Sequence, residues 1–207
     1  DGKETIESIF IHDGAWYRNQ GIGLAVNTTA AALRPSEHAI TDRQGGEYRF
    51  DKLLLASGGD PLHLHIEGAD LPGIVYFRTL DDYQKVRHRL VRGSSCVVIG
   101  GGFIGSEIAP SLSVQGISVT MVFPEEYPCQ RVFPPGLGHH VKHLFEQRGI
   151  RVLSGDLPTR FAASDGMLHT TTRGGHHLVS DLVVVGAGIA PSTALAASAG
   201  LGVHNGI

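Results

Sequence analysis

Cysteine is scarce in this chain, with two among 207 residues, Cys96 and Cys129, 33 positions apart. That spacing is neither C-x-x-C nor C-x-x-x-x-C, which argues against a zinc site and against a redox-active dithiol within the segment. Cys96 is expected to pack as a small apolar residue at the start of a strand. Long apolar runs are missing as well. Nothing approaches the roughly 18 residues of a membrane span, and no charged-then-apolar leader opens the chain, so a soluble, cytoplasmic protein is the expectation. Seventeen Lys and Arg against 20 Asp and Glu leave a net charge of -3, without the basic footprint that nucleic acid requires. An initiating Met is lacking too. The chain begins at Asp1 and stops at Gly206-Ile207 as though in mid-element, which reads as a piece of a longer protein.

Glycine, in contrast, is abundant at 28 residues, and its placement between 96 and 109 organises everything else. The apolar run Val97 to Ile99 reads as a buried strand that breaks at Gly100, Gly102 and Gly105. These have the G-x-G-x-x-G spacing that opens a helix in a Rossmann βαβ unit. The first glycine permits the tight turn, the second lets a pyrophosphate approach the backbone, and the third lets helix and strand pack closely. A second strand, Ile117 to Phe123, follows, and Glu125 lies 20 residues beyond Gly105, where an acid can accept the ribose hydroxyls of NAD. The alternative is a structural turn that uses Gly only for its dihedrals.

Around this unit the fold class is α/β, with helices at Thr79 to Val91 and Leu137 to Arg148 and a third parallel strand at Ile150 to Leu153. A β-meander turns at Asp165-Gly166 and returns through the buried run Leu182 to Val185. Before residue 60 the sequence predicts a weak strand at Ile9 to His12, a hairpin from Ala39 to Phe50 and an apolar strand at Leu53 to Leu55. Residues 62 to 78 read as loop, and Pro110 is expected to shorten or bend the helix after Gly105. Asp51 with Leu53 to Gly58, and Asp181 with Leu182 to Gly186, echo each other as acid-led apolar runs ending at small residues. Two crossings between domains, or coincidence, would both explain the echo. His139 and His143 lie one turn apart and His176-His177 end a hairpin. No carboxylate or Cys completes a metal site beside them, so no metal is expected.

Five ordered motifs, Leu54-Leu55-Ala56-Ser57-Gly58-Gly59-Asp60-Pro61, Phe77-Arg78-Thr79-Leu80-Asp81-Asp82, Ile99 to Glu107, Val122-Phe123-Pro124-Glu125 and Val185 to Pro191, cover almost the whole chain. Together they resemble the FAD-dependent pyridine-nucleotide oxidoreductases, in particular the apoptosis-inducing factor and ferredoxin or rubredoxin reductase branch. The resemblance implies an NAD(P)H domain at 78–185 inserted into an FAD domain, with residues 1–77 on one side of the insertion and 186–207 on the other. The flavin fingerprint of the family, a second G-x-G-x-x-G at the N-terminal end, does not occur here, so this segment alone is expected to bind FAD poorly.

The same resemblance implies the site residues. Gly100, Gly101, Gly102, Phe103, Ile104 and Gly105 form the NAD turn, Glu107 contacts the nicotinamide carboxamide, Glu125 the adenosine ribose, Arg131 a basic position of the NADH site, and Gly186 the nicotinamide end. Ala31, Ser57, Gly58 and Arg78 correspond to FAD contacts. The bland alternatives are a helix-start acid for Glu107, solvated loop charges for Glu125 and Arg131, and half of an interdomain salt bridge for Arg78. The implied activity is hydride transfer from NADH to FAD and on to a ferredoxin-like protein, a quinone or oxygen, in a protein that could form a homodimer. NAD is favoured over NADP, because Glu125 would repel a 2′-phosphate, although Arg131 would welcome one. The alternative is an NADH-sensing interaction module without turnover.

Overall fold

The computed structural model describes Thr5 and residues 7–207. They divide into two compact units, Pro61–Ile189 and the chain up to Asp60 together with Ala190–Ile207. The larger unit contains the whole stretch from Arg78 to Val185 and extends past it at both ends.

In the smaller unit, α1 (Gly14–Asn19) starts at Asp13, whose carboxylate accepts the Trp16 amide proton at 2.8 Å. Three antiparallel strands follow, β1 (Ala30–Arg34), β2 (Ala39–Asp42) and β3 (Glu47–Arg49), paired in that order. The expected hairpin is β2–β3. Its turn closes on the Asp42 carboxylate, which accepts amide protons from Gln44 and Gly46 at 2.9 and 2.8 Å.

Two expected strands of this unit do not form. Residues Ile9 to His12 are exposed, Ile9 ending the short 3-10 turn Glu7–Ile9, and Leu53 to Leu55 run without strand structure, with Leu54 87% exposed. An apolar run becomes a strand only where a neighbouring strand pairs its backbone. No strand among the described residues pairs with either. The echo between residues 51–58 and 181–186 is therefore one of sequence, since only the second run is a buried strand. Past Gly58, the chain leaves this unit within β4 (Gly59–Pro61).

The larger unit opens with β5 (Ile74–Tyr76), a strand that the loop reading of 62–78 missed. Three residues directly after Pro72-Gly73 are too few to show a period, and pairing with another strand makes them a strand. Next comes α2 (Leu80–Arg89), with a capping box in which Thr79 and Asp82 satisfy each other's backbone amides. β6 (Ser95–Ile99), α3 (Phe103–Val114), β7 (Ser118–Phe123), α4 (Pro135–Gln147) and β8 (Arg151–Ser154) form the βαβαβ core. The meander β9 (Pro158–Ser164), β10 (Met167–Thr172) and β11 (His177–Ser180) then leads to β12 (Leu182–Val185). Asp165 and Gly166 both have positive φ, 52° and 78°, as the mirror-image hairpin turn requires. Pro110 does not shorten α3, which runs its full 12 residues. Proline removes one donor, and the other hydrogen bonds and the packing of the helix outweigh that loss.

The parallel sheet has the order β5-β12-β6-β7-β8. Its central strands β12, β6 and β7 are largely apolar on both faces because both are covered. Val98, Met121, Phe123 and Val184 pack under Val86, Ala109, Leu112 and Phe145 from the three helices. Val97, Ile99, Val122 and Val183 meet Phe161, Leu168 and Leu178 from the meander. Each such side chain contributes about 1.5–3 kcal/mol when fully buried.

Candidate functional site

The chain leaves β6 toward β7 and β8 on one side, while β12 and β5 lie on the other. The order therefore reverses between β6 and β12, and open α/β sheets offer a crevice at the carboxyl ends of the strands where this happens. A cavity of about 500 Å³ opens there, within the larger unit. That falls in the range of roughly 300–1,000 Å³ typical of small-molecule and cofactor sites.

The floor of the cavity is built by glycines that pack backbone on backbone. Gly100 has φ 115°, and a β-carbon there would overlap the Gly186 carbonyl. One on Gly105 would overlap the Gly100 carbonyl, so α3 rests directly on the end of β6. Gly101 lies under the Phe123 ring, where a β-carbon would come within 2.6 Å of Cγ. Gly102 differs. A β-carbon there meets nothing within 4 Å, so its bare face is turned to open space at the cavity.

Gly102 is also the N-cap of α3, and no side chain caps this helix. Its first-turn N–H groups have no partner within the helix, and the positive end of the helix dipole adds to them. A diphosphate suits this combination of free donors, positive dipole and absent side chain. The structure fits such a group at the one place where a β-carbon would have filled the space.

Of the expected NAD residues, Gly100, Gly101, Gly102, Phe103, Ile104, Glu125, Arg131 and Gly186 all line this cavity. Gly105 supports it from beneath. Glu107 is exposed one turn further along α3 and lines a second cavity of about 240 Å³, with Phe77, Tyr83 and Arg87, rather than the first. Arg78 follows β5 and lines the main cavity, and its backbone N–H donates to Asp82 at 3.1 Å. Ala31, Ser57 and Gly58 belong to the smaller unit. There the Ser57 hydroxyl donates to the Ser192 carbonyl at 2.6 Å, and Gly58 has φ 67°. The histidines form no metal cluster; among the described residues no group of three or more potential ligands occurs.

Sequence reasoning missed two contributors. Cys129 lines the cavity with φ 56°, and its N–H donates to the Gly101 carbonyl at 2.7 Å. It thereby ties the proline-rich loop to the glycine turn. Its thiol lies 3.6 Å from the Ser106 hydroxyl. A cysteine in a left-handed conformation carries no sequence signal, since that region favours Gly and Asn. Gln130, beside it, also lines the cavity and accepts the Glu126 amide proton at 2.7 Å.

Comparison with known proteins agrees with this fold. Residues 4–207 match the family described as pyridine nucleotide-disulphide oxidoreductase. The chain is 36% identical over 203 residues to the ferredoxin--NAD(+) reductase component of an anthranilate 1,2-dioxygenase system from Burkholderia cepacia, covering 96% of this chain and 49% of that protein. It is 31% identical over 206 residues to a rubredoxin-NAD(+) reductase from Pseudomonas putida, covering 99% and 54%. Among solved structures, putidaredoxin reductase in its covalent complex with putidaredoxin matches all of this chain and 51% of its own, at a TM-score of 0.93 and 31% identity. The chain thus spans about half the length of the curated relatives it matches. No helix among the described residues is long and apolar enough to cross a membrane.

Proposed function

This chain belongs to the pyridine nucleotide-disulphide oxidoreductase family, and from that premise we propose that its larger unit binds NADH for an FAD-dependent reductase. The observation that carries the reading is the uncapped start of α3 at Gly102, open to a cavity at the sheet's switch point. Hydride chemistry comes from NADH and FAD when both are bound, and the protein supplies binding and orientation.

In this reading Gly100 to Gly105 hold the diphosphate, Glu125 accepts the adenosine ribose hydroxyls, and Arg131 adds positive charge at the same rim. Phe103, 56% exposed at the cavity, and Ile104 supply apolar contact, and Gly186 leaves room for the nicotinamide end. Glu107 is the proposed carboxamide contact from the family resemblance alone, and it lines the second cavity rather than this one. Ala31, Ser57, Gly58 and Arg78 are the contacts to FAD, and the 78–185 insertion into an FAD domain is the arrangement that would supply them.

A ferredoxin-like protein is the proposed electron acceptor of the whole enzyme, in preference to a quinone. The two relatives above are named as ferredoxin and rubredoxin reductases, and these names together with the putidaredoxin complex support this. Those names describe reductases, which favours turnover over a sensing module. The test is anaerobic addition of NADH to the full-length protein. Bleaching of the visible flavin absorbance is expected. A flavin that stays oxidised with excess NADH and with excess NADPH overturns the reading.

A further inference from the structure

The segment that carries Glu125 is held at the Glu125 carbonyl and at both backbone groups of Glu126. The Glu125 carbonyl accepts the Gly155 amide proton at 3.0 Å. The next carbonyl, of Glu126, accepts from Lys142 Nζ at 3.5 Å, and the same ammonium donates to the Ser154 hydroxyl at 2.7 Å. Between these two, the Glu126 N–H donates to Gln130 Oε1 at 2.7 Å. Gly155 and Lys142 act from outside, from the end of β8 and from α4. Gln130 alone of the three lines the cavity beside Glu125.

Position matters here because a carboxylate accepts two ribose hydroxyls only in a narrow geometry, of the order of half an ångström. The same loop carries the opposing preference. Arg131 directly follows Gln130 and would pair with a 2′-phosphate, whereas Glu125 would repel one. The Gln130 amide, folded back on Glu126, closes a five-residue turn that fixes the acid and sets the point from which the Arg131 side chain leaves the backbone.

We propose that Gln130 is a positioning residue for coenzyme choice, favouring NADH over NADPH by holding the Glu125 peptide in place. The inference rests on the reading of the cavity as a coenzyme site. Losing one net hydrogen bond of this kind corresponds to roughly a three- to tenfold change in an equilibrium constant.

The experiment uses the full-length protein with Gln130→Leu, which keeps the volume but not the acceptor, and Gln130→Glu, which keeps the acceptor. Gln130 is exposed, and melting curves check that both variants fold. For Gln130→Leu, KM for NADH is expected to rise about three- to tenfold with kcat unchanged and KM for NADPH little altered, so selectivity falls by the same factor. Gln130→Glu should restore the wild-type KM for NADH. In a Glu125→Ala background, Gln130→Leu should have no further effect, because there is no acid left to position. A Gln130→Leu enzyme within twofold of wild type in NADH to NADPH selectivity overturns the proposal, and so does an effect that adds fully to that of Glu125→Ala. Wild-type protein that neither coenzyme reduces defeats the coenzyme reading itself, a result visible before any variant is made.

Discussion

Gly186 lies so close against Ile104 that a β-carbon on the glycine would stand 2.9 Å from Ile104 Cγ2 and 3.3 Å from the Gly105 nitrogen. The Gly186 N–H donates to the Ile99 carbonyl at 2.7 Å, so its backbone cannot retreat without breaking that bond. Gly186→Ala should therefore move α3 and cost about 1–3 kcal/mol of stability by overpacking. Gly102→Ala should behave differently, since φ there is -77° and the new methyl meets nothing. It should leave the melting temperature unchanged and still weaken NADH binding by at least about tenfold, because the methyl enters the space that the diphosphate needs. Melting curves and NADH titrations of the two variants separate the fold from the ligand site.

How much of this was legible in the sequence follows from where each signal resides. The turn at Gly100 to Gly105, the β-branched strands and the helix expected over Thr79 to Val91 are local patterns, and the chain folds as they read. Leu53 to Leu55 carries the same local pattern and forms no strand, because pairing is decided by neighbours that a local pattern does not contain. β5 was invisible for the converse reason, as only its pairing with β12 makes three residues a strand. Cys129 is held at the cavity by a backbone bond to Gly101 and Gln130 by a side-chain bond to the Glu126 N–H, and neither pairing leaves a trace in residue type.

Acid stability offers a second prediction. Asp181 Oδ2 accepts both the amide proton and the hydroxyl proton of Ser95, each at 2.8 Å, which joins the start of β12 to the start of β6. These bonds, the backbone amide first, hold the carboxyl below its ordinary value. The unfolded chain therefore takes up the proton first, so this stabilisation is complete above about pH 4 and is lost as pH falls through the lower folded value. Asp181→Asn should flatten the acid limb of a plot of melting temperature against pH while lowering the plateau near neutrality.

Thiol chemistry offers a third. Cys96 is 1% exposed, and burial pushes its thiol up to about 12. Reactivity needs both the thiolate and access, and this residue has neither. Native protein at about pH 8 should leave Cys96 unlabelled by maleimide or by a disulfide reagent, whereas in denaturant both cysteines should react. Peptide mapping after the two treatments identifies the site. Labelling of Cys96 in the native protein would contradict its place in the β6 core.

The meander contains a natural experiment in buried hydroxyls. Thr170 and Thr172 both point inward from β10, 1% and 3% exposed. The Thr170 hydroxyl finds no partner among the described residues, between Phe161 on β9 and Leu178 on β11. The Thr172 hydroxyl accepts the His176 amide proton at 3.2 Å and lies beside buried Asp156. Valine has the shape of threonine without its polar atom, so Thr170→Val removes only a desolvated group. It should be neutral or stabilising by up to about 1–2 kcal/mol. Thr172→Val leaves a donor without its acceptor and should cost about 1–3 kcal/mol. Urea unfolding midpoints at unchanged m-value measure both, and a Thr170→Val variant as damaged as Thr172→Val would show that the first hydroxyl is satisfied after all.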